Sequence, residues 1–140
     1  KCYVFGGKIH YIAVTYGRKI INDEQHFNSI WFTRDWVPLK IKMIKKNYKY
    51  NKIPKPKHLD KLIKLVENMG SILKRHCRID VYLINGKVYL GEFTFFCGAS
   101  LHTIIGNLKL GYSWIKNPDN LNYLDPKLKS IVPDYYNNPF

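Results

Sequence analysis

Acidic residues are scarce in this sequence: ten Asp and Glu stand against 23 Lys and Arg, a formal net charge of +13. So basic a chain suits an anionic partner: nucleic acid, an anionic polysaccharide, a nucleotide or a membrane surface. A compositional bias toward Lys, Asn, Ile and Tyr would produce the same excess. Arginine is scarce as well. Arg18, Arg34, Arg75 and Arg78 are the whole set, and Arg is the preferred bidentate reader of phosphate, so the composition argues against specific nucleic-acid recognition. Cysteine is confined to Cys2, Cys77 and Cys97, with no Cys-x-x-Cys and no metal-ligand spacing. That pattern excludes a zinc centre and reads as free thiols in a reducing cytosol. No run of about 18 apolar residues exists, so no membrane span is expected. No glycine-rich phosphate loop occurs. Ser100 in "CGAS" lacks the Gly-x-Ser-x-Gly context, which excludes serine-hydrolase chemistry. His10, His26, His58, His76 and His102 share no metal-ligand spacing. They read as surface or structural histidines, with His26 and His102 in loops bordering a site.

Apolar residues make up 46% of 140 residues, enough to bury one modest core and too few residues for two domains. The chain opens on Lys1 with no secretory pattern. The expectation is one cytoplasmic domain, 1–140, cut from a longer chain. "CYVF" and "IHYIAVT", joined by "GGK", predict a hairpin over 2–5 and 9–15. Residues 16–29 read as polar and irregular, and 30–44 as a strand or extended segment broken at Pro38. Residues 45–57 carry no acid and two prolines, and read as a solvated basic loop. A helix is predicted over 58–76, with Leu59, Leu62, Ile63, Val66, Met69, Ile72 and Leu73 at spacings of three and four. Asp60 falls in its first turn and Lys74, Arg75 and His76 in its last; Gly70 weakens its interior. Residues 97–120 read as loop with a short helix, and the proline-bearing tail as a surface wrap. Trp31, Trp36 and Trp114 read as core or interface anchors, Cys97 as a buried thiol and Asp35 as an exposed acid. The order of elements predicts an α+β fold, an antiparallel sheet with a helix on one face.

Two of the few acids fall inside "RIDVYLINGKVYLGEFTF", residues 78–95. Asn85-Gly86 marks a hairpin, with a two-residue or a three-residue loop. Side-chain alternation favours the three-residue loop. It pairs Leu83 with Lys87, Asp80 with Leu90 and Arg78 with Glu92. One face then carries Ile79, Val81, Leu83, Tyr89, Phe93 and Phe95. The other carries Arg78, Asp80, Tyr82, Val88, Leu90, Glu92 and Thr94. Asp80 and Glu92 become diagonal neighbours within reach of one ion. Two carboxylates raise each other's pKa unless a cation joins them, and Mg²⁺ accepts one or two carboxylates with phosphate oxygens and waters. The alternative is a cross-strand salt bridge from Arg78 to Glu92, with Asp80 in solvent.

The same stretch resembles the Arg-[Val/Ile]-Asp-x-Tyr…Gly-x-[Ile/Val]-Tyr-x-Gly-Glu-x-Thr-Phe signature of TupA-like ATP-grasp proteins. "KCYVFGGKIHYIAV" resembles that family's opening strand pair, "PKPKHLDKLIKLVENMGSIL" its helix and "FTRDW" its aromatic stretch. The resemblance spans residues 1 to about 112 and implies the C-terminal ATP-grasp subdomain. It further implies a Mg·ATP-dependent ligase in cell-surface polysaccharide or polypeptide synthesis, which activates a carboxylate as an acyl phosphate for an amine or other nucleophile. By position it implies Asp80, Glu92 and Thr94 as Mg²⁺ ligands; Thr94 stands where the wider superfamily usually has Asn. It implies Arg78 as the residue facing phosphate or acyl-phosphate charge, and Lys1, Arg18 and Leu90 as nucleotide-binding residues. The implied partners are nucleotide, a carboxylate substrate and an N-terminal subdomain carrying the phosphate-covering loop. A different class of function remains open on composition: a non-catalytic module holding an anionic polymer, polysaccharide or nucleic acid, through the basic segment 40–57.

Overall fold

Two-residue turns organise the sheet. The computed structural model describes residues 1–45, 52–95 and 102–116. Strand β1 (Cys2–Phe5) turns through Gly6-Gly7 into β2 (Lys8–Ile21), as the glycine pair predicts. Strand β2 then turns through Asn22-Asp23 into β3 (Glu24–Thr33). Asn22 and Asp23 both adopt positive φ, 49° and 60°, the geometry a two-residue hairpin requires and these side chains tolerate. Residues 16–29, expected to be irregular, are therefore mostly strand. Their polarity reflects position: from Gly17 to Gln25 the ribbon runs past the core and is exposed. Strand β3 stops at Thr33; Pro38 makes an isolated bridge to Phe32.

The chain continues through helix α1 (Leu59–Leu73), β4 (Cys77–Ile84), β5 (Lys87–Thr94) and helix α2 (Ile104–Ile115). The five strands form one antiparallel sheet in the order β3-β2-β1-β4-β5, the expected α+β fold. The short strand β1 is central, and all four of its residues are buried.

Both faces of the sheet are covered. On one, Leu59, Leu62, Ile63 and Val66 of α1 pack on Cys2, Val4, Ile9, Ile12, Ile30, Phe32, Cys77 and Ile79. On the other, Met43, Leu39, Ile41, Ile44 and the α2 residues Leu110 and Trp114 pack on Tyr3, Phe5, Ala13 and Trp31. Burial raises the Cys2 thiol to about 11, so it is an inert core residue. Helix α1 is shorter than its pattern suggested. Lys74 is a left-handed C-cap whose N–H donates to the Gly70 carbonyl at 3.0 Å. Lys74, Arg75 and His76 thus lie past the last turn, and Ile72 is 80% exposed. Gly70 marks a close approach to the sheet: a Cβ there would lie 2.5 Å from Val4 Cγ1. Thr103 caps α2, its Oγ1 accepting from the Gly106 N–H at 3.0 Å. The expected tail wrap, Cys97 and Ser100 lie outside the described residues.

Candidate functional site

The β4–β5 hairpin closes differently from its expected register. Asn85 (φ 50°) and Gly86 (φ 76°) form a two-residue turn with Ile84 opposite Lys87. Leu83 then pairs with Val88, Tyr82 with Tyr89 and Val81 with Leu90. Uniform pairing would carry Glu92 to the face away from Asp80. A β-bulge prevents this. Gly91 is an extra residue in β5, and the ladder resumes with Asp80 opposite Glu92, Ile79 opposite Phe93 and Arg78 opposite Thr94. Glycine suits the bulge, because a Cβ at residue 91 would sit 3.0 Å from the Asp80 carbonyl oxygen. The three-residue loop is thus corrected, while the meeting of the two carboxylates is kept and made direct. Alternation misled because it assumed an unbroken ladder. The tip residues swap sides as a result. Val88 packs on the core side with Val81 and Leu83. Tyr89 lies exposed beside Tyr82, and Phe93 and Phe95 are also exposed rather than core.

Asp80 is 9% exposed, not solvated. The Arg78 guanidinium grips it through Nε at 2.7 Å and Nη2 at 3.1 Å. Lys1 Nζ also donates to its Oδ2. Arg78 Nη2 reaches across to Glu92 Oε1, so one guanidinium bridges both carboxylates. Thr94 Oγ1 donates to the same Glu92 oxygen at 3.0 Å and orients it. Burial pushes the Asp80 carboxyl up, but the hydrogen bonds from Arg78 and Lys1 outweigh it and hold the group below its ordinary value. The cross-strand Arg78–Glu92 bridge and the paired carboxylates therefore coexist.

Lys1, Arg18 and Asp80 line one cavity of about 350 Å³, with Trp36 and Tyr82 in its wall. Arg18 is aimed there by a second bulge: Tyr16 pairs with Asn28 and Lys19 with His26, leaving Gly17-Arg18 against Phe27. Leu90 pairs with Val81 and stands on the α1 side, away from the two carboxylates. His102 is buried against Tyr3 and Trp31, with ring centroids 6.2 and 5.9 Å apart. Burial and the positive charge of Arg78 hold its pKa below the ordinary value. His26 lies in β3, not in a loop. Trp31 is a core residue, and Trp36 stacks on Phe32 at 4.4 Å. Asp35 is exposed as expected.

Among the described residues no group of three or more His, Cys, Asp and Glu gathers as a metal cage. Two facing carboxylates still fit a Mg²⁺ that takes its remaining ligands from phosphate and water. Both offer hard oxygen donors from rigid strands, and the Glu92 side chain is 59% exposed.

One charged cluster was missed by the sequence reading. Glu67 of α1 is 8% exposed. It accepts from Arg34 Nε at 2.8 Å, Arg34 Nη2 at 3.1 Å and the Ile9 N–H at 3.2 Å. Its signal was its place one turn after Ile63 and beside Val66, an acid within an apolar stripe.

No curated protein and no solved structure matches this chain. The family model described as TupA-like ATPgrasp matches residues 1–107, which takes in β1 to β5, α1 and the start of α2. The chain belongs to the TupA-like ATP-grasp family.

Proposed function

We propose that this chain forms the catalytic floor of a Mg·ATP-dependent ligase acting in cell-surface polymer synthesis. The observation that carries the reading is Asp80 directly opposite Glu92 on one sheet face, joined by Arg78, within the family's hairpin signature. A substrate carboxylate oxygen attacks the γ-phosphorus of ATP and ADP leaves. An amine or other nucleophile then attacks the resulting acyl phosphate and expels phosphate. Phosphoryl transfer of this kind is accelerated by positioning and by charge placed against the phosphoryl oxygens. Asp80 and Glu92 would hold Mg²⁺, with Thr94 orienting Glu92. Bound there, Mg²⁺ supplies charge neutralisation at the phosphate oxygens. Arg78, Lys1 and Arg18 present cations toward the same space, and an N-terminal subdomain closes over the nucleotide.

Mg·ATP affinity of the full natural chain tests the reading. Asp80→Asn and Glu92→Gln are each expected to weaken it by about tenfold or more, as loss of a charged metal ligand should. Unchanged affinity and turnover in both variants would sink the metal assignment.

A further inference from the structure

A larger cavity, about 600 Å³, lies between the start of β2, the end of β3, residues 55–57 and α1. Its volume is that of a small-ligand pocket. Lys8, Arg34, Lys55, Lys57 and Lys64 line it, with Glu67 and the exposed Asp35 and Asp60. Cations thus exceed carboxylates, five to three, and the pairing of Arg34 with Glu67 leaves that excess unchanged. Glu67 is saturated from within by the fork of Arg34 and the Ile9 N–H, with Lys8 Nζ at 3.5 Å. Its charge fixes Arg34 in place rather than facing the cavity as a free acid. Lys55, Lys57 and Lys64 make no ion pair among the described residues. Arg34 is committed to Glu67 and, through Nη1 at 3.5 Å, to Asp35; the three uncommitted ammonium groups around one concave space are arranged to receive negative charge.

We propose that this cavity is a second binding site, for a small multivalent anion bearing carboxylates or phosphates. It is separate from the Asp80–Glu92 face. The two cavities meet at Pro56, which lines both, so a ligand here abuts the wall of the neighbouring space. The assignment does not depend on nucleotide chemistry.

Titration calorimetry of the full natural chain, without nucleotide or Mg²⁺, tests it with citrate and with inorganic pyrophosphate as probes. Binding of either at millimolar concentration is expected. The tighter of the two identifies carboxylate or phosphate as the natural charge. The double variant Lys55→Ala/Lys64→Ala removes two exposed side chains and leaves the core intact. It should weaken binding by about tenfold, roughly threefold per exposed charge pair, with an unchanged thermal midpoint. Asp80→Asn should leave the affinity as it is, which separates this site from the nucleotide site. The exposed pair Lys40→Ala/Lys74→Ala, outside the cavity, controls for overall charge. The proposal is overturned if neither anion binds, if the Lys55/Lys64 variant binds normally, or if the control pair loses as much.

Discussion

Two carboxylates on opposite sides of the sheet are gripped with nearly the same parts. Glu67 takes an Arg34 fork and Lys8; Asp80 takes an Arg78 fork and Lys1. The difference lies in what each grip connects. Glu67 joins α1 to the end of β3 and, through the Ile9 N–H, to β2. It closes a long loop of chain, and the second acid that Arg34 meets, Asp35 at 3.5 Å, is its own sequence neighbour in a turn and not a strand partner. Asp80 and Arg78 are two residues apart on one strand, so their bond organises little of the fold, and only the Lys1 contact reaches another part of the chain. Their guanidinium also serves a second, exposed carboxylate, Glu92. The first arrangement is a tie between elements. The second is a local cluster in which one guanidinium holds two acids.

The comparison is sharpest in stability. Glu67→Gln is expected to cost about 2 kcal/mol in urea unfolding, the scale of hydrogen bonds to a charged group removed from a nearly buried site. Asp80→Asn should cost less, because Arg78 retains Glu92. Equal losses would break the distinction between tie and local cluster. A smaller structural change with a specific readout is deletion of Gly91. It removes the bulge and leaves Glu92 opposite Asp80 in an unbroken ladder. The fold should survive, since β5 is an edge strand. Mg·ATP affinity should hold where Glu92→Gln loses it, and a double-mutant cycle should still find coupling between Arg78 and Glu92. Lost coupling would show that the bulge itself, and not the pairing alone, shapes the cluster.

The smallest expected effect is on pH dependence. His10, His76 and His102 are all held below their ordinary value of 6.5, chiefly by burial. The unfolded chain therefore binds more protons, and stability falls as pH drops below about 6.5. Asp80 is lowered from 3.8 and Glu67 from 4.5. Their contribution is intact above those values and fades as pH falls through the lower folded ones. The thermal midpoint should thus decline in two stages on acidification. Glu67→Gln should remove more of the second stage than Asp80→Asn.

Much of this molecule was legible in its sequence where residues speak through local rules. Gly6-Gly7, Asn85-Gly86 and the stripe from Leu59 to Val66 each announced their element. The hairpin signature pointed to the two carboxylates that the sheet brings face to face. What failed were features set by pairing at a distance. Asn22-Asp23 is a less familiar turn than Asn-Gly, and its flanking strands lacked an apolar face because they leave the core behind. The Gly91 bulge is defined only by a partner strand. Glu67 stood out only as an acid within the apolar stripe of α1, and its pairing was hidden because the Arg34 that pins it lies far away in sequence.

The bulge at Gly91 makes parity the property that the hairpin must preserve. Faces of a sheet alternate, so what matters between Asp80 and Glu92 is whether the chain makes an odd or an even number of steps along the ladder. The tip from Tyr82 to Tyr89 can then change its sequence, or lengthen by a cross-strand pair, without parting the two carboxylates. A single residue gained or lost along the paired strands while the bulge stays in place does part them, however far from either acid it falls. The site is thus guarded less by the identity of its neighbours than by a count.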